Sequence, residues 1–398
     1  MQRVHTGLFT RRPRCPRPRT PCPASASTAA TAPCETSCAR AEAYFADGGT
    51  KKTANAAMMA KTVFWLLAAA LLYAVTAGGA LPALVTWPLA ALLGVVMAAV
   101  GFNVGHDAIH GAWLEKQWVN RLLARTFDRL GASATTWAEA HNFVHHTYTN
   151  VPGVDHDLEP GPFMVFNPEK TPSTIHRYQH IDAFPLYLLT FVVWVFKKDF
   201  VRVRSADPRT GERHGVADVV GGLAWKLAHL ALLLGVPLLR SGYAPWQVFL
   251  GYGTVIAAAG FTLAVVLQLA HVVEGTLFPA PDGDGRLSRS WTAHPLATTA
   301  NFAPRRRFWN FFSGGLNHQI EHHLFYKISH IHYPALAPIV ADVARRHGAP
   351  YLEYPTFRAA LGSHVATMKR LGRPRPRLVT TTTTTVSPTT PTTPARAA

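Results

Sequence analysis

Four long apolar runs constrain the fold of this 398-residue chain more than any other feature. A helix needs about 20 mostly apolar residues to cross a bilayer, and lipid offers no hydrogen-bond partner to an irregular backbone. The sequence therefore predicts an all-α integral membrane protein with four transmembrane helices in two hairpins. The predicted spans cover about residues 62–77, 81–104, 219–239 and 246–273.

A fifth apolar run, at about residues 183–196, is too short for a regular span. It contains Pro185, and Lys197 and Lys198 follow it directly. Short apolar segments with flanking cations are typical of helices that lie in the plane of the membrane surface. We therefore expect an interfacial helix here.

The net charge of +17 is explained by topology rather than by nucleic-acid binding. Basic residues cluster in the loops beside the apolar runs, as the positive-inside rule expects of cytoplasmic loops. The loops within the two predicted hairpins carry almost no charge. We therefore expect the opposite, basic side, together with both termini, to lie in the cytoplasm, and we expect no nucleic-acid partner.

The two ends of the chain differ from its middle. Residues 1–55 are basic and rich in Pro, Ala and Thr, and residues 373–398 are rich in Thr and Pro, so both segments are predicted to be disordered. Residues 56–372 are predicted to form one membrane domain. All four cysteines lie within the first forty residues, so a metal bound in the core would have nitrogen and oxygen ligands.

Three histidine clusters lie at the ends of the predicted spans. The first is His106-Asp-Ala-Ile-His110, the second is His141-Asn-Phe-Val-His145-His146, and the third is Gln319-Ile-Glu-His322-His323. Histidines four residues apart lie on one helix face, about 5–6 Å apart at Cβ, and can converge on one metal ion. Adjacent histidines point about 100° apart, which favours a site with two metals.

An even number of membrane crossings between the second and third clusters would place all three on one side. The same topology brings His271, at the end of the fourth span, to that side as a candidate ligand. A lone histidine there would otherwise be an ordinary core residue with a hydrogen-bond partner. The predicted metal ligands are His106, His110, His141, His145, His146, His271, His322 and His323.

The type and number of ligands restrict the metal. Eight histidines exceed the three that a catalytic zinc usually takes, and the clusters hold no acidic set for magnesium or calcium. Two iron ions fit best, and manganese or copper fit less well. The metal centre itself would carry the chemistry, so no separate acid or base is assigned.

Other polar residues near the clusters have open roles. His318 and Gln319 offer competing frames for the third cluster, since only one of them can face the metals. Asp155 and Asp157 either orient ligands or are turn residues after Pro152-Gly153. The remaining residues that could bind the metals or orient their ligands are Asn103, Asp107, Asn317 and Glu321.

With these clusters the chain resembles the membrane fatty-acid desaturases, which carry three histidine boxes interleaved with two membrane hairpins. The stretches His141–Asn150 and Gly314–Phe325 are highly specific to that family. Gln319 replaces the histidine that begins the third box in many members, which resembles bacterial front-end or linoleoyl-CoA-type acyl desaturases. Front-end enzymes insert a double bond between an existing one and the carboxyl end.

The resemblance implies a helical cytosolic cap with a di-iron centre and a kinked tunnel for the acyl chain. It also implies O2 as co-substrate, which is reduced to two waters while two vicinal hydrogens are removed. The sequence has no His-Pro-Gly-Gly haem motif of a fused cytochrome b5. We therefore expect external electrons from a ferredoxin or a free cytochrome b5 with its reductase.

Several alternatives remain open. A di-iron hydroxylase, a ketolase or a sphingolipid desaturase would carry the same boxes, and a histidine-rich metal transporter is a more distant reading. Arg305, Arg306 and Arg307 either bind the phosphates of a substrate head group or are ordinary positive-inside residues. The substrate could be an acyl-CoA, an acyl-carrier protein or an acyl lipid.

Overall fold

The computed structural model describes residues 32–208, 210–282, 287 and 293–374. The helices in chain order are α1 (Ala32–Gly48), α2 (Ala56–Ala77), α3 (Ala83–Val100), α4 (His106–Ile109), α5 (Gln117–Leu130), α6 (Ala134–Glu139), α7 (Gln179–Tyr187), α8 (Thr190–Val193), α9 (Asp199–Arg204), α10 (Val216–Leu230), α11 (Val236–Arg240), α12 (Pro245–His271), α13 (Ala293–Thr298), α14 (Arg307–Phe312), α15 (Gln319–Leu324), α16 (Tyr333–Arg346) and α17 (Phe357–Leu371). Two short strands, β1 (Asn301–Phe302) and β2 (Glu353–Tyr354), pair in parallel.

Shorter helical segments lie between these elements. Segments with π-helical hydrogen bonding cover Gly101–Gly105, Ala140–His145, Trp194–Lys198 and Ala231–Gly235. Single 3₁₀ turns cover His156–Leu158, Thr174–His176 and His330–His332. Several of these segments join two α-helices without a break, so α3 continues into α4 and α10 continues into α11.

Among the residues that the structure describes, four helical stretches are long and apolar enough to cross a membrane, which confirms the prediction of an all-α protein with four such helices. They cover Ala56–Ala77, Ala83–Ile109, Val216–Arg240 and Pro245–His271. The first begins six residues before the predicted start, since the Asn55 side chain caps the helix by accepting a hydrogen bond from the Met58 N–H at 3.0 Å. Outward-facing leucines such as Leu71 and Leu84 are exposed, as lipid-facing side chains would be.

The turns of the two hairpins lie against each other at one end of the bundle. Gly79, with φ of +69°, packs so closely on the Ser241 backbone that a Cβ would lie 1.8 Å from the Ser241 carbonyl oxygen. The Tyr243 hydroxyl contacts Thr86 Oγ1 at 2.7 Å and donates to the Leu81 carbonyl. The two short turns therefore lie together at one end of the bundle, and the histidines lie at the other end.

Two polar side chains in the middle of the third span, Lys226 and His229, face protein. The Lys226 ammonium donates to Asp199 Oδ2 at 2.8 Å and to the Gly131 carbonyl at 2.9 Å. His229 lies 3.1 Å from the Tyr252 hydroxyl and 3.0 Å from the Arg129 carbonyl. These partners remove the cost of placing unpaired polar groups in a spanning helix.

The predicted interfacial helix corresponds to two helical stretches, Gln179–Tyr187 and Thr190–Arg204, which meet at a bend of 60°. Neither stretch alone reaches the length of about 20 residues that a span needs. Ile181, Leu189 and Val193 are exposed along them. Their location at the membrane surface stays a prediction.

Helix α1 corrects part of the expected N-terminal disorder. Cys38, Ala41 and Phe45 are buried and pack on α16 in a cluster that includes Leu336 and Val340. Because these residues are three and four positions apart, they form a short apolar stripe on one face of the helix, which composition alone does not reveal. Cys38 is disulfide-bonded. The disorder predicted for residues 1–31 and 375–398 falls outside the described residues.

Close packing of α3 on α12 holds the two hairpins together. At Gly94, a Cβ would lie 2.2 Å from the Val255 carbonyl oxygen and 2.9 Å from Ala258 Cβ. The two helix backbones therefore approach at a distance that only glycine allows. This contact fixes the position of His106 relative to His271, because the two histidines lie further along the same two helical stretches.

We predict that Gly94→Ala lowers the free energy of unfolding by about 1–3 kcal/mol, since the added methyl group overpacks the contact. Thermal unfolding of the detergent-solubilised protein measures this. Gly251→Ala in α12 is the matched control, because a Cβ there meets nothing within 4 Å. It should be neutral or stabilising by up to about 1 kcal/mol, and equal losses in both variants would contradict the packing argument.

Candidate metal centre

Eight buried histidines from four segments meet at the end of the bundle opposite the hairpin turns. Their ligand-capable nitrogens form three overlapping groups, and within each group all such atoms lie within 4.8 Å of one another. One group contains His106, His110, His141 and His322, a second contains His145, His271 and His323, and a third contains His146, His322 and His323. All eight predicted ligands are therefore brought together.

The three groups describe one elongated cluster with two ends. At one end, His106 Nε2 lies 3.3 Å from His141 Nε2. At the other end, the His145 and His323 rings lie 5.0 Å apart. His146 lies between the ends, because its ring is 4.7 Å from that of His322 and 4.4 Å from that of His323. Adjacent histidines thus serve different parts of the cluster, as their divergence on a helix predicts.

Local backbone features aim these side chains. A π-helical segment directly precedes His106, and another ends at His145. An extra residue in a helical turn rotates the following side chains relative to a regular helix, and such insertions are frequent at functional sites. Gly105 also matters, since a Cβ there would lie 2.3 Å from the Phe127 ring.

An aromatic stack supports the first end of the cluster. Trp137 stacks on His141 with ring centroids 4.1 Å apart and an angle of 14° between the planes. Phe127 stacks on the other side of Trp137 at 4.7 Å. The stack restricts rotation of the His141 ring.

Hydrogen bonds at Nδ1 orient four of the rings. His145 Nδ1 lies 2.9 Å from Asp155 Oδ2, and His141 Nδ1 lies 3.4 Å from Asp157 Oδ2. His323 Nδ1 lies 3.2 Å from Thr149 Oγ1, and His322 Nδ1 lies 3.3 Å from the Tyr333 hydroxyl. Partners of this kind fix the ring tautomer and leave Nε2 free for a metal.

The two aspartates combine both roles that the sequence left open. Asp155 also accepts from the Asn150 and Asp157 backbone N–H groups, as a turn residue does. Asp157 accepts from Arg202 Nη2 at 2.5 Å. Burial by itself would raise the pKa of Asp157, but Arg202 and His141 hold it well below its usual value. Asp157 is therefore a carboxylate that accepts a hydrogen bond from His141.

Burial keeps most of the cluster neutral. Burial, reinforced by neighbouring imidazoles, holds the pKa values of His110, His146, His322 and His323 well below the ordinary histidine value. Burial also lowers the pKa of His141 to about 4, although Asp157 opposes the shift. The pKa of His145 is raised, because the Asp155 carboxylate outweighs burial. Neutral imidazoles present the lone pair that metal ligation requires.

Unpaired nitrogens inside the cluster fit a metal. Both ring nitrogens of His110, both of His146 and Nε2 of His322 are buried without a hydrogen-bond partner. Buried polar atoms in folded proteins normally have partners, so this concentration of unpaired lone pairs requires an explanation. Imidazole suits borderline transition metals, and the divided cluster is compatible with a site for two of them.

Gln319, rather than His318, faces the cluster. The Gln319 amide nitrogen lies 2.9 Å from His271 Nε2 and 3.3 Å from His323 Nε2, while its oxygen is buried without a partner. The two ends of an amide have the same shape, so a half-turn would place the oxygen among these imidazoles. His318 instead lies 3.1 Å from Asn310 Oδ1 and 3.6 Å from Glu321 Oε2.

Asn103, Asp107 and Asn317 bond away from the cluster. Asn103 donates to the Ala99 and Phe312 carbonyls, and Asn317 bonds to Ser313 and Asn310. Asp107 accepts from Ser329 Oγ at 2.8 Å and lies 2.9 Å from His330 Nδ1.

Glu321 is also turned away from the cluster, because its carboxylate accepts from Asn301 and Tyr351. These four residues hold the segments that carry the histidines.

Sequence reasoning missed several residues that contact the cluster. Thr149 and Tyr333 bond to ligand candidates, Trp137 stacks on His141, and the half-buried Tyr326 ring lies 4.9 Å from that of His146. A signal existed for Thr149, since it follows His145 by one helical turn. The others come from neighbouring elements and carry no spacing signal.

Arg305, Arg306 and Arg307 lie where α14 begins, and all three are exposed. The neighbouring Phe308 is exposed as well. The structure thus places the three arginines on the surface beside an exposed aromatic residue.

The sequence of the chain is similar to those of known proteins. The family model for fatty acid desaturases matches residues 81–355. The chain is 36% identical to the sn-1 linoleoyl-lipid 6-desaturase of Synechocystis, over 84% of this chain and 94% of that protein. It is 34% identical to the Arthrospira platensis protein of the same name, over 70% of this chain and 76% of that one.

A third protein is similar too. The acyl-lipid (8-3)-desaturase of Physcomitrium patens is 31% identical, over 84% of this chain and 70% of that protein. The family model covers the histidine segments and three of the four spans, and the chain therefore belongs to the fatty acid desaturase family.

Proposed function

We propose that this chain is a desaturase that uses O2 and two histidine-bound iron ions to introduce a cis double bond into an acyl chain. The observation that carries the proposal is the divided cluster of eight buried, mostly neutral imidazoles. Membership of the desaturase family makes the chain an oxidoreductase. When bound, a reduced iron pair would supply the O2 activation that removal of hydrogen from an unactivated methylene requires.

The cluster divides naturally between two ions. His106, His110, His141 and His322 would hold one ion, and His145, His271 and His323 the other. His146 adjoins both ends through its contacts with His322 and His323. Gln319 would complete the second set, either through its oxygen or by bonding to a bound water.

A narrow apolar cavity borders the first set of histidines. Its walls include His106 and His141 together with Met97, Leu130, Trp194 and Leu263. Its volume is only about 30 Å³, so it would have to widen to admit an acyl chain, which would then lie beside the metals and be shielded from water by aromatic and aliphatic side chains. We refer to it as the acyl-chain cavity. Such shielding protects a reactive centre from side reactions, and the walls fix which carbons are close to it.

The names of the similar proteins favour an acyl lipid as substrate, since three of them act on lipid-linked chains. Gln319 and two of those names, the 6-desaturases, favour a double bond on the carboxyl side of an existing one. Acyl-CoA remains the alternative carrier. The choice rests on resemblance, because the largely apolar walls of the acyl-chain cavity hold no charged group that would distinguish one carrier from another.

Electrons would come from a separate ferredoxin or cytochrome b5 with its reductase. The basic residues beside the histidine end of the bundle favour a cytoplasmic location for this end and for both termini. Lys197, Arg202 and Arg345 are among them. An acidic electron carrier would find complementary charge on the same side.

We predict that the chain, expressed with an electron donor in a host fed linoleoyl lipids, forms acyl chains with one additional double bond. Mass spectrometry of the extracted fatty acids, with derivatives that locate double bonds, measures this. A hydroxylated product without a new double bond would contradict desaturation. A double bond on the methyl side of the existing ones would contradict only the regiochemistry.

We predict that His271→Ala lowers desaturation by at least about 100-fold and lowers bound iron, while membrane insertion stays intact. The reason is that His271 supplies a nitrogen to the second group of ligands. His347→Ala is the control, because His347 is exposed at the end of α16 and should have no effect. Full activity of His271→Ala would remove this residue from the ligand set.

We predict that Gln319→Ala lowers activity by about 10–100-fold, since its amide contacts two ligand candidates. His318→Ala should keep its bound iron, because His318 bonds to Asn310 outside the cluster. Iron content and activity of the folded fraction of each variant measure the difference. Loss of iron in His318→Ala alone would reverse the assignment.

A further inference from the structure

A second cavity lies apart from the acyl-chain cavity. Its volume is about 600 Å³, and it opens between the C-terminal end of α17 and the segment that follows α12. Its walls include Val273, Thr276, Leu277, Phe278, Thr367 and Arg370. None of these residues belongs to the histidine cluster. We refer to it as the α17 cavity.

A buried hydroxyl in this cavity has no partner. Thr367 is only 1% exposed, and its Oγ1 makes no hydrogen bond. A threonine within a helix can satisfy its hydroxyl by bonding to the carbonyl one turn earlier, but Thr367 does not. An unpaired buried hydroxyl is unfavourable, so a ligand oxygen that reached Thr367 Oγ1 from the cavity would remove an energetic cost.

Arg370 adds a positive charge to the same wall. Its side chain is exposed, and it makes no ion pair within the part of the chain that the structure describes. A guanidinium group binds phosphate through two parallel hydrogen bonds. The other walls are largely apolar, so the α17 cavity suits a molecule that joins an anionic group to a hydrocarbon.

The α17 cavity lies close both to the metal centre and to the predicted membrane surface. The hydroxyl of Thr276 donates to the His271 carbonyl at 2.8 Å, and Val273 follows His271 by two residues. Leu371 and Phe278 pack in one cluster with Ala183 and Tyr187 of α7. A lipid head group at that surface would reach the α17 cavity.

We propose that the α17 cavity binds the phosphate-bearing head group of an acyl glycerolipid, with Arg370 pairing with the phosphate and Thr367 bonding to a phosphate or ester oxygen. The inference rests on the proposed function for the class of substrate. It places the head group here rather than at Arg305–Arg307, which line neither of the two cavities described. Proximity to His271 fits a double bond near the carboxyl end, since few bonds then separate head group and reacting carbons.

The test is retention of lipid by the purified, metal-loaded protein in uncharged detergent. Native mass spectrometry compares phosphatidylglycerol with uncharged monogalactosyldiacylglycerol of the same acyl composition. We expect wild-type protein to prefer phosphatidylglycerol, and Arg370→Gln to lose about tenfold in that preference, which corresponds to about 1.4 kcal/mol. Lys369→Gln is the matched control, because Lys369 is the exposed neighbour that does not line the cavity.

Thr367→Val provides a second, independent readout. It should weaken retention of phosphatidylglycerol while leaving the melting temperature of lipid-free protein equal or higher, because it removes an unpaired buried hydroxyl without changing shape. Unchanged retention in both Arg370→Gln and Thr367→Val would overturn the proposal, as would equal losses in Arg370→Gln and Lys369→Gln. Competition by coenzyme A or inorganic phosphate, with no retention of phosphatidylglycerol, would also overturn it.

These binding measurements separate the inference from the proposed function. Desaturation of phosphatidylglycerol chains by variants with normal lipid retention would leave the desaturase assignment intact and remove only the head-group site. If lipid retention depends on Arg370 but the chain forms hydroxylated products, the head-group site stands and the desaturase assignment fails.

Discussion

Concentrating eight imidazoles in a buried space is the constraint on which the rest of this structure depends. Each ring must be desolvated, and several nitrogens, such as both of His146, find no protein partner. The fold compensates by orienting the remaining nitrogens through Asp155, Asp157, Thr149 and Tyr333. A metal centre would satisfy the unpaired nitrogens, so folding and metal binding would be energetically coupled.

The membrane bundle supplies the rigidity that such a cluster requires. Glycines allow the closest approaches, at Gly94 between α3 and α12 and at Gly79 between the two hairpin turns. Because the turns and the helix contact fix one end of the bundle, the opposite ends of α4 and α12 hold His106 and His271 at constant separation. The helices outside the four spans then place α15 and the second histidine segment at the same point.

Polar groups that the cluster does not use tie its supports together. Asp107 bonds to Ser329 and His330, and Glu321 bonds to Asn301 and Tyr351. Both acidic residues lie inside histidine motifs, yet both point away from the histidine cluster. Successive residues on a helix point about 100° apart, so a residue next to one of these histidines faces a different neighbouring element. The acyl-chain cavity borders His106 and His141, and the α17 cavity begins at Val273, two residues after His271, so an acyl substrate and its head group would both lie within reach of one centre.

The sequence by itself determined the membrane architecture and most of the site. Long apolar runs permit only helices in lipid, and the parity of the crossings brings the three histidine segments and His271 to one side. Histidines four residues apart and adjacent pairs of histidines favour a site for two metals. These inferences need only helix geometry, which is local and therefore readable from the chain.

Only the tertiary structure decided that Gln319 rather than His318 faces the histidine cluster. It also decided that Asp155 and Asp157, rather than Asn103 and Asn317, contact histidine rings of the cluster. It also revealed α1, whose short apolar stripe packs against α16. Such choices depend on the rotation of one helix relative to another, and the π-helical segments before His106 and up to His145 change that rotation. A pattern along one segment cannot report the position of its neighbours, because packing between segments sets that position.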